Sequence, residues 1–568
     1  MYIAVIPNRD SPPAILLREG YRDGGKVKNR TLANLSQWPA QKVDLLRRVL
    51  RDEPLARVDE LFEVVASAHH GHVQAVRTAM QRLGLEGLIA ARPSRERALV
   101  VALVASRILE PDSKLATTRW WHTTTLPSLL GVQDADEDAL YAAMDWLLAR
   151  QARIEKKLAA RHLTEGGLVL YDLTSSYFEG TTCPLAAFGH DRDGKKGKRQ
   201  VNYGVLTDAR GCPVAVSVFK GNTGDPKTLL PQVERVREDF GIARVVLVGD
   251  RGMISDIQIT ALKARPGVDW ITALKTGAIR ALVAGGHLQL GLFDERNLFE
   301  LRSPDFPGER LVACRNPELA TLRARKRQAL LEATRKELAK VQRMVARGTL
   351  TGRDAIGLRV GKGINQYKVA KHFRLTIQDA RFDFAIDAAQ VAAEAALDGL
   401  YVIRTSVPPE RLDAADTVRS YKRLSAVERA FRSLKTLDLK VRPIHHRREG
   451  RVRAHIFLCL LAYYVEWHMQ EAWRPLLFAD EDQAAKVTRD PVAPARRSAQ
   501  ALRKVRAKVL EDGTPVHSFQ TLLKALSTIV RNVGRRRGAG PEEAPVEIVT
   551  TPSPEQQRAY ELLNTIRV

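Results

Sequence analysis

Two aliphatic runs far apart in the chain, Leu168-Val-Leu-Tyr-Asp172 and Arg244-Val-Val-Leu-Val-Gly-Asp250, each end in an aspartate. Aliphatic runs without polar alternation are strands buried on both faces, and such strands lie mid-sheet under helices. An acid at the C-terminal end of a central strand stands at the sheet edge where α/β folds place their sites. One such aspartate is an ordinary turn residue. Two with the same arrangement constrain the fold, because the sheet must carry both ends to one edge.

Between them, Asn202-Tyr-Gly-Val-Leu-Thr and Pro213-Val-Ala-Val-Ser-Val-Phe219 flank a turn at Asp208-Ala-Arg-Gly211, which reads as an antiparallel hairpin. Residues 227–240 then read as a helix. Strand, hairpin, helix and strand in this order open a ribonuclease-H-like α/β core. A third acid comes much later, in Tyr421-Lys-Arg-Leu-Ser-Ala-Val-Glu-Arg-Ala-Phe-Arg-Ser-Leu-Lys435. At 3.6 residues per turn, Tyr421, Leu424, Glu428, Phe431, Arg432 and Lys435 share one helical face. A core helix would fill that face with aliphatics, whereas here one carboxylate sits among cations. Three acids drawn together repel unless divalent metal offsets their charge. Mg²⁺ takes hard oxygen ligands from one or two carboxylates plus substrate phosphate. Asp172, Asp250 and Glu428 are therefore the candidate catalytic and metal-ligating residues.

Charge points to the partner. The chain has 568 residues, with 90 Lys+Arg against 65 Asp+Glu, a net charge of +25. The excess concentrates over residues 421–453, and a polyanion such as nucleic acid is the natural counterpart. Asp191-Arg-Asp-Gly-Lys-Lys-Gly-Lys-Arg199, just after the first acid strand, offers Lys195, Lys196, Lys198 and Arg199 as either a solvated turn or a phosphate clamp. Cys183, Cys212, Cys314 and Cys459 have no paired spacing, which argues against structural zinc and disulfides and fits a reducing cytoplasm. The start is too short and polar for a signal peptide, and the most apolar run, residues 456–465, is about half the roughly 20 residues a membrane span needs. It reads as a buried helix. Gly357-Leu-Arg-Val-Gly-Lys-Gly363 lacks the spacing and the hydroxyl residue of a phosphate loop. His69, His70 and His72 have no acid or cysteine nearby at ligand spacing and read as surface or helix-end residues. Lys114-Leu-Ala-Thr-Thr-Arg-Trp-Trp121 fits a packed or a DNA-contacting helix.

Length demands several domains. Residues 1–40 read as short strands with turns. Residues 41–165 read as helical, including 61–85, with a helix-turn-helix plausible within 41–120. Residues 166–275 and 416–475 read as two parts of one core, interrupted over 276–415 by an insertion. The insertion includes a long basic helix or helix pair over 317–348, with Leu331, Leu338 and Val345 at heptad spacing, and looks strand-rich over 359–386 and 399–405. Residues 476–568 read as helical, a candidate for dimerisation. They carry a loop at 534–541, a cap at Ser553-Pro-Glu-Gln556 for a last helix, and a flexible tail.

Tyr171-Asp-Leu-Thr-Ser-Ser, Val248-Gly-Asp-Arg-Gly-Met and Tyr421…Glu428…Lys435 resemble the three signature blocks of DDE insertion-sequence transposases of the insertion-sequence-four superfamily. The third block of that pattern has Arg where this chain has Leu424, with Arg423 beside it. The resemblance implies a multidomain α/β protein: a ribonuclease-H-like mixed sheet interrupted by a β-rich insertion domain, between a helical DNA-end-binding region and a helical C-terminal region. It implies that Asp172, Asp250 and Glu428 bind two Mg²⁺ or Mn²⁺ ions, and that Tyr421, Arg423, Arg432 and Lys435 contact phosphates. Water would open a phosphodiester at each element end, and the freed 3′-hydroxyl would attack target DNA. Partners would be double-stranded DNA, as terminal inverted repeats and target, and a second copy of the chain in a synaptic homodimer. No membrane is implied. Some relatives excise through a DNA hairpin, holding a flipped base on an insertion-domain Trp. The one Trp between the second and third acids here is Trp270. A catalytically silent DNA-binding protein and a structure-directed nuclease with the same core are the alternatives.

Overall fold

The computed structural model describes the chain apart from residues 10, 54–61, 485–487 and 538–543. Two compact units emerge, residues 1–68 with 530–550, and residues 69–529 with 551–568.

In the smaller unit, strands β1 (Tyr2–Ile6), β2 (Ala14–Asp23) and β3 (Lys26–Asn34) form an antiparallel meander. Gly24 and Gly25 alone separate Asp23 from its partner Lys26, and both have positive φ, as a two-residue hairpin requires. The helix Ala40–Val49 follows. Residues 62–69, expected to be helical, are instead strand β4 (Phe62–His69); Leu61 lies outside the described residues. A short β-branched run does not separate strand from helix by periodicity. What decides it is pairing with β15 (Val530–Arg536), which in turn pairs with β16 (Val546–Val549). The C-terminal region is therefore not wholly helical, and Gly534 lies in a strand; residues 538–541 of the expected loop fall outside the described residues.

The larger unit is built on one mixed sheet. In chain order its strands are β5 (Leu168–Tyr177), β6 (Gln200–Thr207), β7 (Pro213–Lys220), β8 (Val245–Val248), β9 (Val268–Ala273), β10 (Leu298–Leu301), β11 (Arg310–Arg315) and β14 (Leu400–Thr405). Their spatial order is β10-β11-β14-β9-β8-β5-β6-β7. β6 runs antiparallel to both β5 and β7, β8 and β9 run parallel to β5, and β14, β11 and β10 follow from β9, each antiparallel to its neighbour. The 24-residue helix Glu449–Ala472 crosses this core with Ile456 through Val465 buried, as the apolar run suggested. Among the described residues no helix is long and apolar enough to cross a membrane.

Residues 276–415 thus contribute three strands to the central sheet as well as a separate cluster. In that cluster the helix Pro317–Ala346 packs on the helix Arg353–Ile364 and on the hairpin of β12 (Phe373–Gln378) and β13 (Arg381–Ile386). Leu331, Leu338 and Val345 are buried there against Ile356, Val360 and Phe382, so the heptad stripe serves internal packing. Residues 359–364 are helical where strand was expected. Residues 357–363 lie wholly within that helix, which excludes a phosphate loop. His70 and His72 stand at the start of the helix Gly71–Arg82, the helix-end placement expected, with His72 buried there; Trp121 is fully buried, so the 114–121 segment is a packed one. Ser553 and Gln556 form the expected capping box of the helix Pro554–Leu563. The four cysteines are buried and free.

Candidate active site

Strand register brings the two aspartates together. β5 and β8 are parallel with Leu170 opposite Val248, so Asp172 and Asp250 each stand two residues beyond the same rung. The sequence pattern puts Asp172 at the end of its strand, but β5 runs on to Tyr177, paired there with β6. β8 stops at Val248, and its withdrawal opens the edge beside Asp172. The Oδ1 of Asp172 accepts the N–H of Leu173 at 2.8 Å. The Oδ1 of Asp250 accepts the N–H groups of Gly252 at 3.0 Å and Met253 at 2.8 Å, which fixes that carboxylate in the tight turn after β8.

Glu428 arrives on the helix Leu424–Arg432, which packs on β5 through buried Val427, Ala430 and Phe431. Phe431 meets the Tyr203 ring edge-on at 6.1 Å, leaving Glu428, Arg429 and Arg432 exposed. A cleft of about 240 Å³ is lined by Asp172, Asp250, Tyr421, Lys422, Leu424, Ser425 and Glu428. Burial pushes the Asp172 carboxyl up to about 7, with the neighbouring charges of Asp250 and Glu428 adding to the effect. Burial also raises the Tyr421 hydroxyl to about 12. Three hard oxygen donors facing one cleft, held at the expense of mutual repulsion, suit a divalent cation such as Mg²⁺.

The cations expected around the acids are not gathered as one face. Residues 421–435 are two helices meeting at Arg423, Ala414–Lys422 and Leu424–Arg432, followed by a π-type turn Ser433–Leu437. A π turn carries more residues per turn than an α-helix, so the 3.6-residue count does not hold through Lys435, which is absent from the cleft lining. Lys435 is buried, its Nζ 2.9 Å from Asp193 Oδ1, and Arg442 shares the same carboxylate. Tyr421 alone of the expected phosphate contacts lines the cleft; Arg423 and Arg432 are exposed on its helices. In the basic loop, Lys198 pairs with Glu179 at 2.8 Å and Arg199 donates to the Thr181 carbonyl at 2.6 Å. Lys195 stands 5.8 Å over the Tyr177 ring, and Lys196 is exposed. Asp193 was not singled out by sequence, although it anchors this loop; an acid inside a basic run is the only signal it gives. Ser425 was also missed, yet it stands four residues after Tyr421 and three before Glu428, on their helical face. Trp270 is buried in β9 and cannot hold a flipped base.

A mixed α/β sheet with three carboxylates lining one cleft, in a strongly basic chain, suits metal-assisted chemistry on nucleic-acid phosphodiesters. The chain matches the transposase DDE domain family over residues 166–465 and belongs to it. Residues 3–60 match the N-terminal domain of IS1634 family transposases, so the protein is an insertion-sequence transposase, an enzyme of DNA strand cleavage and transfer. No curated protein matches the chain. Among solved structures, a piggyBac transposase in a synaptic complex with hairpin DNA is distantly similar. Its TM-score is 0.34 and its identity 9%, over 80% of this chain and 77% of that one.

Proposed function

We propose that Asp172, Asp250 and Glu428 are the catalytic carboxylates of this transposase and the ligands of two Mg²⁺ or Mn²⁺ ions, within a ribonuclease-H-like core. The reading is carried by one observation: the matched register of β5 and β8 sets Asp172 beside Asp250 on the cleft that Glu428 also lines. The order β7-β6-β5-β8-β9, with three antiparallel strands followed by two parallel ones, supports the core assignment. Residues 276–415 then form the insertion between the second and third acids.

Bound metal would offset the three negative charges and activate the attacking and leaving oxygens of an in-line displacement. The chain's own residues set the geometry. Backbone N–H groups hold one oxygen each of Asp172 and Asp250, and the Tyr421 side chain walls the cleft. Exposed Arg423, Arg432 and Lys196 are placed for DNA phosphates, with Lys195, Lys198 and Arg199 beside them in the loop and Lys435 contributing charge from behind its Asp193 pair. Water attacks a phosphodiester at the end of a terminal inverted repeat and a 3′-hydroxyl leaves. That hydroxyl attacks a target phosphodiester, so each step exchanges one P–O bond for another. A homodimer holding both ends would couple the two.

The deciding experiment incubates purified protein with DNA carrying the element ends, in Mg²⁺ or Mn²⁺, and resolves the strands on gels. Nicks at the ends and strand-transfer products are expected, both lost in Asp172→Ala, Asp250→Ala and Glu428→Ala. Undiminished activity in all three variants overturns the assignment. End binding without cleavage would indicate a silent DNA-binding protein, and cutting without end preference or transfer a structure-directed nuclease.

A further inference from the structure

Away from the carboxylate cleft, a cluster of softer ligands has no part in strand chemistry. His162 ends the helix Gln151–His162, Cys212 lies in the β6–β7 turn, and His468 lies on the Glu449–Ala472 helix. One ligand atom from each falls within 4.8 Å of the other two. Nothing in their spacing along the chain announces this, because the fold alone joins them.

The geometry is close to that of a bound site. Cys212 Sγ is 3.7 Å from His468 Nε2. Sulfur and nitrogen bound to one tetrahedral zinc ion, at about 2.3 Å and about 2.0 Å, stand roughly 3.5 Å apart. Cys212 is fully buried, His468 nearly so, and the thiol is in no disulfide. His162 Nε2 meets the Tyr464 hydroxyl at 3.0 Å. With that hydroxyl accepting, the imidazole lone pair is on Nδ1, which faces the Arg210 guanidinium at 3.3 Å. Arg210 is a displaceable neighbour: its side chain is 60% exposed and already pairs with Asp208 at 2.8 Å. The Tyr464 contact is the kind of outer hydrogen bond that orients a ligating histidine.

We propose that His162, Cys212 and His468 form a Cys-His₂ site for one zinc-class ion, with water in the fourth position. The donor set separates it from the acid cleft, since thiolate and imidazole select zinc whereas carboxylates suit Mg²⁺. The ion ties the end of one helix, the β6–β7 turn and the long helix into a single joint. Gly211 in that turn lies against Ala426 on the helix of Glu428, so the joint braces the platform beneath the third acid.

The test adds Co²⁺, as a spectroscopic substitute for Zn²⁺, to metal-stripped full-length protein. One equivalent should give the visible bands of a tetrahedral ion and a thiolate-to-metal charge-transfer band, both erased by one equivalent of Zn²⁺. Cys212→Ser should lose the charge-transfer band. His468→Gln keeps the thiol and should weaken Co²⁺ binding at least about tenfold. Co²⁺ held at the carboxylates gives no sulfur band, so occupancy of the two sites is distinguishable and a catalytic failure does not affect the outcome. Absence of the thiolate band in the folded wild-type protein overturns the proposal. So does its unchanged survival in Cys212→Ser, which would assign it to another cysteine. Should Cys212→Ser fail to fold, the wild-type titration and His468→Gln decide.

Discussion

A β-carbon placed on Gly211 would stand 2.6 Å from the β-carbon of Ala426, well inside any contact two side chains tolerate. Gly211 also has φ of +88°, a conformation that side chains rarely adopt. The β6–β7 turn and the Glu428 helix therefore meet at a point only glycine permits. Gly211→Ala should destabilise the protein by about 1–3 kcal/mol and displace Glu428. End cleavage in single turnover should fall more than end binding does. Adding Ala426→Gly should recover part of the cleavage rate, since it removes the clash though not the strained φ; no recovery would place the defect elsewhere.

The acid cleft should trade stability for function. Asp172→Asn relieves the repulsion from Asp250 and Glu428, and in the absence of divalent metal it should raise stability by about 0.5–2 kcal/mol. The same variant should lose the upward shift in melting temperature that Mg²⁺ or Mn²⁺ gives the wild-type protein. Differential scanning fluorimetry with and without metal reads both effects. An unchanged metal-dependent shift would remove Asp172 from the ligand set.

Asp193 should matter more to folding than its place in a basic loop suggests. Its single carboxylate pairs with both buried Lys435 and half-buried Arg442. Asp193→Ala leaves both cations without that partner and should cost about 3 kcal/mol in urea denaturation. Replacing Lys435 by Met in the same protein should return part of that loss, because one stranded charge is gone.

Exposed cations should act as phosphate contacts rather than sequence readers. Lys196→Ala and Arg432→Ala should each weaken end binding and non-specific binding alike, and reduce the slope of log affinity against log salt by about 1. A loss confined to the element ends would instead mean base recognition by these side chains.

Acid should loosen the larger unit through its buried histidines as pH falls below the ordinary histidine range. Burial holds His455 well below the ordinary histidine range, with Arg107, His446 and Lys114 adding to the effect. Burial similarly lowers His72 to about 4, with His69 and His70 contributing. Their folded values lie below the unfolded value near 6.5, so the unfolded chain takes up protons first. The stability they contribute is full above 6.5 and is lost as pH falls toward 4. The loss approaches about 1.4 kcal/mol per pH unit for each group. His455→Gln should flatten the profile of unfolding free energy between pH 7 and 4; an unaltered slope would show that His455 does not titrate there.

The parts of the fold legible in the sequence are those that local pattern dictates. The aliphatic runs before Asp172 and Asp250 mark central strands, and Asp208 through Gly211 marks the hairpin turn. Glu428 stands out because a carboxylate among cations is wrong for a core helix. Where distant partners decide, the pattern fails. β4 looks helical until β15 pairs with it, and β10, β11 and β14 give no local sign that they extend the central sheet. The burial of Lys435 has no local sign, because it lies in a π turn that a 3.6-residue count does not foresee and its ion-pair partner, Asp193, is far upstream.

The pairing of β14 with β9 has a consequence for how separable this molecule is. β9 has β8 on one side and β14 on the other, so residues 276–415 supply the strand that closes its hydrogen-bonding edge. Cut away, they would leave the backbone of residues 271–273 as an unprotected border, open to pairing with the same border on another chain. The segment between the second and third acids is thus a seam of the sheet itself, and a shortened protein lacking it would be prone to polymerise rather than to remain a smaller enzyme.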